Sequence, residues 1–359
     1  MLATQLTPHW AAHGQFVAGR ETLESALTTG DGSASERIAA WCAVATLATA
    51  QGDLAGARLA YEHAVALADE EGDERASASM TNALAIVLLR AGDVEAAENA
   101  CRSALASFTL LGDELGRAFA LSGTGLVAAA AGRPGDAVVH LLESLAVFRA
   151  EGARHEAASV LANLGNVVHD VGDAQRSARF YDGALQLFDS INDRRGAALC
   201  LNNLAMLAEA HGDLDRAVEL GREALAHFVA VGDLHGEAAM LNNLGGFWDA
   251  LGASTEAATL YEQAIARFSR LDDVAGVATA EQNLEQLRPP RTELSEREHQ
   301  VAGLVVAGLS NREIADQLFI SQRTVDSHLS HIFTKLGLTS RTQLAMWAVR
   351  QGLATDATA

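Results

Sequence analysis

Gly308-Leu309-Ser310-Asn311-Arg312-Glu313-Ile314-Ala315-Asp316-Gln317-Leu318-Phe319-Ile320-Ser321-Gln322-Arg323-Thr324-Val325 reads as two helices joined by a very short turn. Ser310-x-x-Glu313 is a capping box: hydroxyl and carboxylate satisfy the free N–H groups of a helix's first turn. Ser321 can cap the following helix without a reciprocal Glu. The turn between them, Leu318-Phe319-Ile320-Ser321, gives a helix-turn-helix arrangement. Further out, Ser295-x-x-Glu298 and Ser340-x-x-Gln343 repeat the capping-box pattern. Gly308 and Gly337 stand where helices must stop, at positions that favour a left-handed residue. Leu294 to Gly352 is therefore expected to form a compact four-helix unit.

Its third helix, Ser321 to Leu336, carries an apolar stripe at Val325, Leu329, Ile332, Phe333 and Leu336, the spacing of one buried face. The other face shows Arg323, Thr324, Asp326, Ser327, Ser330, His331, Thr334 and Lys335. Side chains near the N-terminus of such a helix reach base edges in a major groove, while flanking Ser, Thr, Arg and Lys hold phosphates. Capped helix starts at Asn311 and Gln322 also aim backbone N–H groups at phosphate. A helical hairpin with a merely solvated polar face fits the same pattern.

Leu294-Ser295-x-Arg297-Glu298, Gly308 to Ala315, Leu318-x-Ile320-Ser321, Thr324-Val325-x-x-His328-Leu329, Lys335-Leu336-Gly337 and Arg341 together resemble the LuxR-type (GerE-like) DNA-binding domain. The resemblance implies transcription regulation, with two such domains on an inverted-repeat operator and the last helix, about Ser340 to Arg350, forming the homodimer contact. It implies base reading by Asp326, Ser327 and Ser330. Contacts to the DNA backbone would come from Ser310, Asn311, Arg312, Ser321, Arg323, Thr324, His331, Lys335 and Arg341. Asp326 departs from the family's usual Lys or neutral residue; a carboxylate accepts from cytosine N4 but repels phosphate. Pairing with Arg323 on the same helix is the structural alternative.

From Arg291 onward seven basic and seven acidic side chains cancel, so the net charge of −20 lies in the first 290 residues. A neutral module binds DNA weakly and with strong salt dependence, which favours a dimer on two half-sites.

Upstream, Gly-Asp recurs at 52–53, 72–73, 92–93, 112–113, 172–173, 212–213 and 232–233, with weaker echoes between. The step is twenty residues but the pattern alternates, making the true repeat forty. A small residue returns at Ala45, Ala85, Gly125, Gly165, Ala205 and Gly245. Phenylalanine returns at 108, 148, 188, 228 and 268, with Ala68 in the first copy, and alanine at 57, 97, 137, 217 and 257, with Ser177 in the remaining one. Each repeat reads as two antiparallel helices that cannot bury their apolar faces alone, so the copies stack into a solenoid. The expected organisation is an N-terminal partial repeat or cap over 1–33, the solenoid with a capping helix over 34–290, broken by Pro289-Pro290, and the helix-turn-helix domain over 291–359. The fold class is all-α.

Leu201-Asn202-Asn203-Leu204, Leu241-Asn242-Asn243-Leu244 and Ala162-Asn163-Leu164-Gly165 resemble the longer tetratricopeptide arrays. Asn163, Asn203 and Asn243 fall at one place in successive repeats. Such amides hold an extended segment in a groove, or bond neighbouring helices. His169, His211 and His235 lack metal-like spacing. Cys42, Cys101 and Cys200 read as small buried side chains of a reducing compartment.

The only lysine is Lys335, so no phosphate-binding Gly-Lys-Ser/Thr loop exists here. The segment from His9 to Leu27 nonetheless resembles the start of the repeat region in ATPase–tetratricopeptide–LuxR regulators, whose C-terminal half this chain resembles. There is no apolar run long enough to span a membrane, no signal core, no catalytic constellation and no cofactor motif. The expectation is a cytoplasmic, non-enzymatic transcription regulator, an activator by the resemblance. Its partners would be double-stranded DNA and a protein, peptide or small-molecule ligand in the repeat groove. The rival is a tetratricopeptide adaptor with a non-functional DNA-binding domain.

Overall fold

A computed structural model describes residues 2–7, 10, 15–29, 32–287, 294–351 and 353. Every regular element among them is a helix, as an all-α chain requires. The chain divides into two compact units, Met1–Leu287 and Arg288–Ala359. Pro289-Pro290, expected to break the chain, lie outside the described residues.

The first unit is a run of helices of near-constant length, from Ala34–Gln51 and Leu54–Glu70 through Ser254–Arg270 to a last helix Val274–Leu287. Helix Phe16–Thr28 precedes them, and its buried Leu23 joins Trp10, Val44 and Leu47 in one apolar cluster. The Gly-Asp pairs divide two tasks. Glycine takes the left-handed conformation that ends one helix, at φ 80° for Gly52 and 64° for Gly112. Aspartate then caps the next, accepting a backbone N–H three residues on, from Gly56 to Asp53 at 2.8 Å and from Gly236 to Asp233 at 2.9 Å. Asn192 and Asp272 fill the glycine slot at φ 56° and 54°.

Packing explains why the small position alternates between Gly and Ala. A Cβ on Gly165 or Gly245 would lie 2.4 or 2.5 Å from the ring of Tyr181 or Tyr261, and one on Gly125 would lie 2.7 Å from Leu141. Where the partner sixteen residues on is Cys101 or Gly221, Ala85 and Ala205 fit and are fully buried; the first copy departs from this, a buried Ala45 packing in one cluster with Tyr61. Ser177, standing where other copies have alanine, is buried too, and its hydroxyl donates to the Gly165 carbonyl at 2.8 Å. The phenylalanines close each repeat on the first turn of the next: Phe108, Phe188, Phe228 and Phe268 lie against Gly116, Gly196, Gly236 and Gly276, where a Cβ would overlap the ring. Phe148 has Glu156 at the corresponding place and instead meets Phe119 edge-on at 4.9 Å.

The capping aspartates also tie successive repeats together. Arg75–Asp113 and Arg195–Asp233 each stand at 2.7 Å, His155–Asp193 at 3.1 Å and His235–Asp273 at 3.5 Å. The rung is missing at 115/153, where the residues are Leu115 and Ala153, and at 35/73, where Ser35 stands opposite Asp73.

The second unit packs Glu296–Val306, Asn311–Leu318, Gln322–Leu336 and Arg341–Arg350 around Val301, Ile314, Val325, Ile332 and Leu344. Of the stripe expected to be buried, Val325, Leu329 and Ile332 are, while Phe333 and Leu336 are half-buried. Ser295 and Ser310 form full capping boxes. Ser340 does not. Its hydroxyl accepts from the Gln343 N–H, but the Gln343 side chain takes the Thr339 N–H at 2.8 Å instead of Ser340's.

Candidate nucleic-acid interface

The short turn is built by a left-handed residue that is not glycine. Phe319 ends the second helix at φ 55°, its N–H returning to the Ala315 and Asp316 carbonyls, and its side chain is 95% exposed. Arg297 donates to the Leu318 carbonyl, pinning the same turn from the first helix. Ser321 then accepts the Thr324 N–H at 3.1 Å, and the two hydroxyls bond at 2.7 Å. The recognition helix therefore starts with a satisfied cap and an exposed polar face.

Among the described residues, no hydrogen bond or ion pair engages the side chains of Arg312, Arg323, Ser327, Ser330 or His331, and all five are exposed. Four residues expected at the DNA surface, Lys335, Arg341, Asn311 and Asp326, also bond within the unit. Lys335 donates its ammonium to Glu298 at 2.6 Å, crossing from the recognition helix to the first. Glu298 is buried. Burial works to raise its pKa, but the Lys335 hydrogen bond, the Ser295 N–H and hydroxyl, and the Lys335 charge outweigh it and take it down to about 2. Arg341 donates to the carbonyl of Leu309 and, at 2.7 Å, to the side-chain oxygen of Asn311. The Asn311 amide in turn donates to Asp326 at 2.7 Å. Asp326 thus pairs with Asn311 on the preceding helix, not with Arg323 on its own, because the turn brings the two helix starts side by side. The sequence offered no signal for these links, which join residues 37, 30 and 15 positions apart.

In the solenoid the asparagine ladder exists with its register shifted. Asn243 donates to Asn202 at 2.9 Å, Asn283 to Asn242 at 3.0 Å, and Asn203 to Asn166 at 3.3 Å. The rungs bond helix to helix, and Asn163 contributes none that the described residues show. An open groove of about 560 Å³ lies between helices Ala174–Ser190, Arg194–Ala210 and Leu214–Val231. Leu204, Leu207, Ala208 and Leu220 line it beside Asp182, His211, Asp213 and Arg216. Cys101 and Cys200 are buried and Cys42 half-buried. Burial pushes their thiols up to about 11, 12 and 11. No described helix is long and apolar enough to cross a membrane, and no cluster of metal-ligating side chains occurs among the described residues.

Comparison with known proteins agrees with both halves. An HTH-type transcriptional regulator of Mycobacterium bovis is 50% identical over 70 residues, 19% of this chain and 8% of that protein. The oxygen regulatory protein NreC of Staphylococcus aureus is 45% identical over 60 residues, 17% of this chain and 28% of its own length. The chain thus matches only a small part of these relatives. A Rap protein crystallised with competence and sporulation factor shares the fold at TM-score 0.57 and 16% identity, over 80% of this chain and 85% of that one. A signal-transduction ATPase with a tetratricopeptide-repeat sensor from Pyrococcus horikoshii does so at 0.56 and 14%, over 89% and 44%. Residues 74–150, 156–228 and 238–271 match tetratricopeptide repeats, and 292–348 match bacterial regulatory proteins of the luxR family. The chain carries a LuxR-family helix-turn-helix domain behind an array of tetratricopeptide repeats.

Proposed function

We propose that this chain is a cytoplasmic, sequence-specific transcription regulator, acting as an activator, whose solenoid binds a protein or peptide and thereby controls operator binding. The observation that carries the reading is the exposed face of the helix-turn-helix, where Arg312 of the second helix and Arg323, Ser327, Ser330 and His331 of the third stay unengaged beside a satisfied cap. Arg312 and Arg323 supply phosphate contacts, and Ser327 and Ser330 sit where base edges come within reach. Lys335 and Arg341 act from inside, by fixing the helices. Binding is as a homodimer. A module with no net charge needs a second half-site, and Met346 and Val349, each 56% exposed, leave an apolar face on the last helix beside half-buried Trp347. The groove around Leu204 and Leu220 suits an amphipathic segment, its apolar lining flanked by Asp182, Asp213 and Arg216.

The test is genome-wide DNA occupancy of the tagged protein beside an Arg323→Ala/Ser327→Ala variant. These two side chains are exposed and make no hydrogen bond or ion pair among the described residues. Sharp sites sharing an inverted motif and lost in the variant support a regulator. Equal occupancy by both proteins favours the adaptor reading.

A further inference from the structure

The Arg341–Asn311–Asp326 chain of hydrogen bonds gives an acidic side chain on a DNA-facing helix a defined task. We infer that Asp326 selects cytosine at one position of each operator half-site, with Asn311 and Arg341 as the positioning residues that hold its carboxylate. The inference rests on the DNA-binding reading above and narrows it to a base.

Asp326 lies in the second turn of the recognition helix, one residue before Ser327 and four before Ser330, on the exposed face. A free carboxylate there would rotate and repel phosphate, which weakens DNA binding without adding selectivity. Here its rotation is fixed and its repulsion of phosphate reduced. Asn311 Nδ2 binds Oδ1 at 2.7 Å and fixes the rotamer. Asn311 is itself fixed, because its side-chain oxygen accepts from Arg341 Nη1 at 2.7 Å while Arg341 Nη2 holds the Leu309 carbonyl. The guanidinium charge reaches the carboxylate through one polarised amide, which offsets part of the negative charge. These bonds leave Oδ2 of Asp326 without a partner among the described residues. An ionised carboxylate only accepts hydrogen bonds, so it needs a base-edge donor. In the major groove cytosine presents the N4 amino group as a donor and guanine presents acceptors alone at N7 and O6, so the pair is read in one orientation. Thymine offers O4 and a methyl group, and is rejected by the same logic; adenine has a donor at N6, but the N7 acceptor beside it repels a carboxylate, whereas cytosine N4 has no acceptor next to it.

The experiment is selection of duplex DNA from a randomised pool by the full-length protein, run beside Asp326→Ala, Asp326→Asn and Asn311→Ala, with thermal unfolding of each. Wild type is expected to enrich a motif with cytosine at one position per half-site. Asp326→Ala should lose roughly tenfold of the discrimination at that position and leave the other positions intact. Asp326→Asn keeps an acceptor for Asn311 and should move the preference to adenine, which amides read through N6 and N7. Asn311→Ala should blur the same position without disturbing those set by Ser327 and Ser330, an outcome that loss of folding would not give. A wild-type motif unchanged by Asp326→Ala or Asp326→Asn overturns the assignment and leaves the regulator reading standing. Failure of the wild type to enrich any motif overturns both.

Discussion

Replacing Lys335 by methionine removes the ammonium group but keeps most of the stem that packs on the unit. Glu298, 5% exposed, then stays buried with only Ser295 to satisfy it. Its drop from 4.5 to about 2 corresponds to about 3 kcal/mol favouring the charged form, at about 1.4 kcal/mol per unit. Lys335 and Ser295 share that gain. Removing one partner of a buried pair costs up to about 3–5 kcal/mol, and Lys335 is 39% exposed, so solvent screens part of it. About 2 kcal/mol is the expected loss for the helix-turn-helix unit at neutral pH. The carboxyl pKa is depressed in the folded state, so this stabilisation is complete above about 4.5 and vanishes as pH falls through about 2. Hydrogen exchange of peptides from 294–351, measured in the full-length protein at pH 7, reads the local free energy directly. Acid unfolding followed by circular dichroism reads the pH window. Lys335→Met should open the unit at pH 7, lose its deficit near pH 2, and be partly rescued by Glu298→Gln, which removes the stranded charge and keeps the capping box. Equal protection in wild type and Lys335→Met, or no rescue in the double variant, would refute the argument.

Gly165→Ala should destabilise the solenoid by about 1–3 kcal/mol in urea titration, because its Cβ would fall 2.4 Å from the Tyr181 ring, and a change near zero would mean the ring shifts freely. Asp233→Ala removes a cap and an inter-repeat ion pair together and should cost about 1–2 kcal/mol, whereas Arg195→Ala breaks only an exposed pair and should cost under about 1 kcal/mol. Asn243→Ala should cost about 1 kcal/mol and raise amide exchange around 202 and 243, an outcome not expected if the amide serves a bound segment alone. Phe319→Gly relieves a left-handed backbone and exposes no cavity, so the unit's melting temperature should hold or rise by a few degrees; a marked fall would show that the ring has a contact to lose.

Local chemistry was legible in the sequence and tertiary pairing was not. Gly-Asp every twenty residues announces turn and cap because both act within four residues of the chain. The small-residue and phenylalanine positions declare layers because stacking repeats them. The capping box at Ser340 misled because Gln343 has two N–H groups in reach and satisfies that of Thr339. Asn163, Asn203 and Asn243 suggested the correct ladder in the wrong register, since the rungs run from one asparagine of a pair to the other asparagine of the next. The bonds of Lys335 and Arg341 within the unit were not legible, because their partners Glu298, Leu309 and Asn311 come close only in three dimensions.

The match between each small residue and its neighbour bears on how such an array lengthens or shortens over time. Gly165 and Tyr181 lie within one forty-residue cassette, as do Ala205 and Gly221, so a recombination that copies whole cassettes carries compatible partners along. At the seam a phenylalanine meets glycine at 188/196, 228/236 and 268/276, and asparagine rungs such as Asn202–Asn243 cross it. Cassettes from this region share a common connector. The seam at 148/156 is built differently: glutamate replaces glycine, and Phe148 meets Phe119 edge-on.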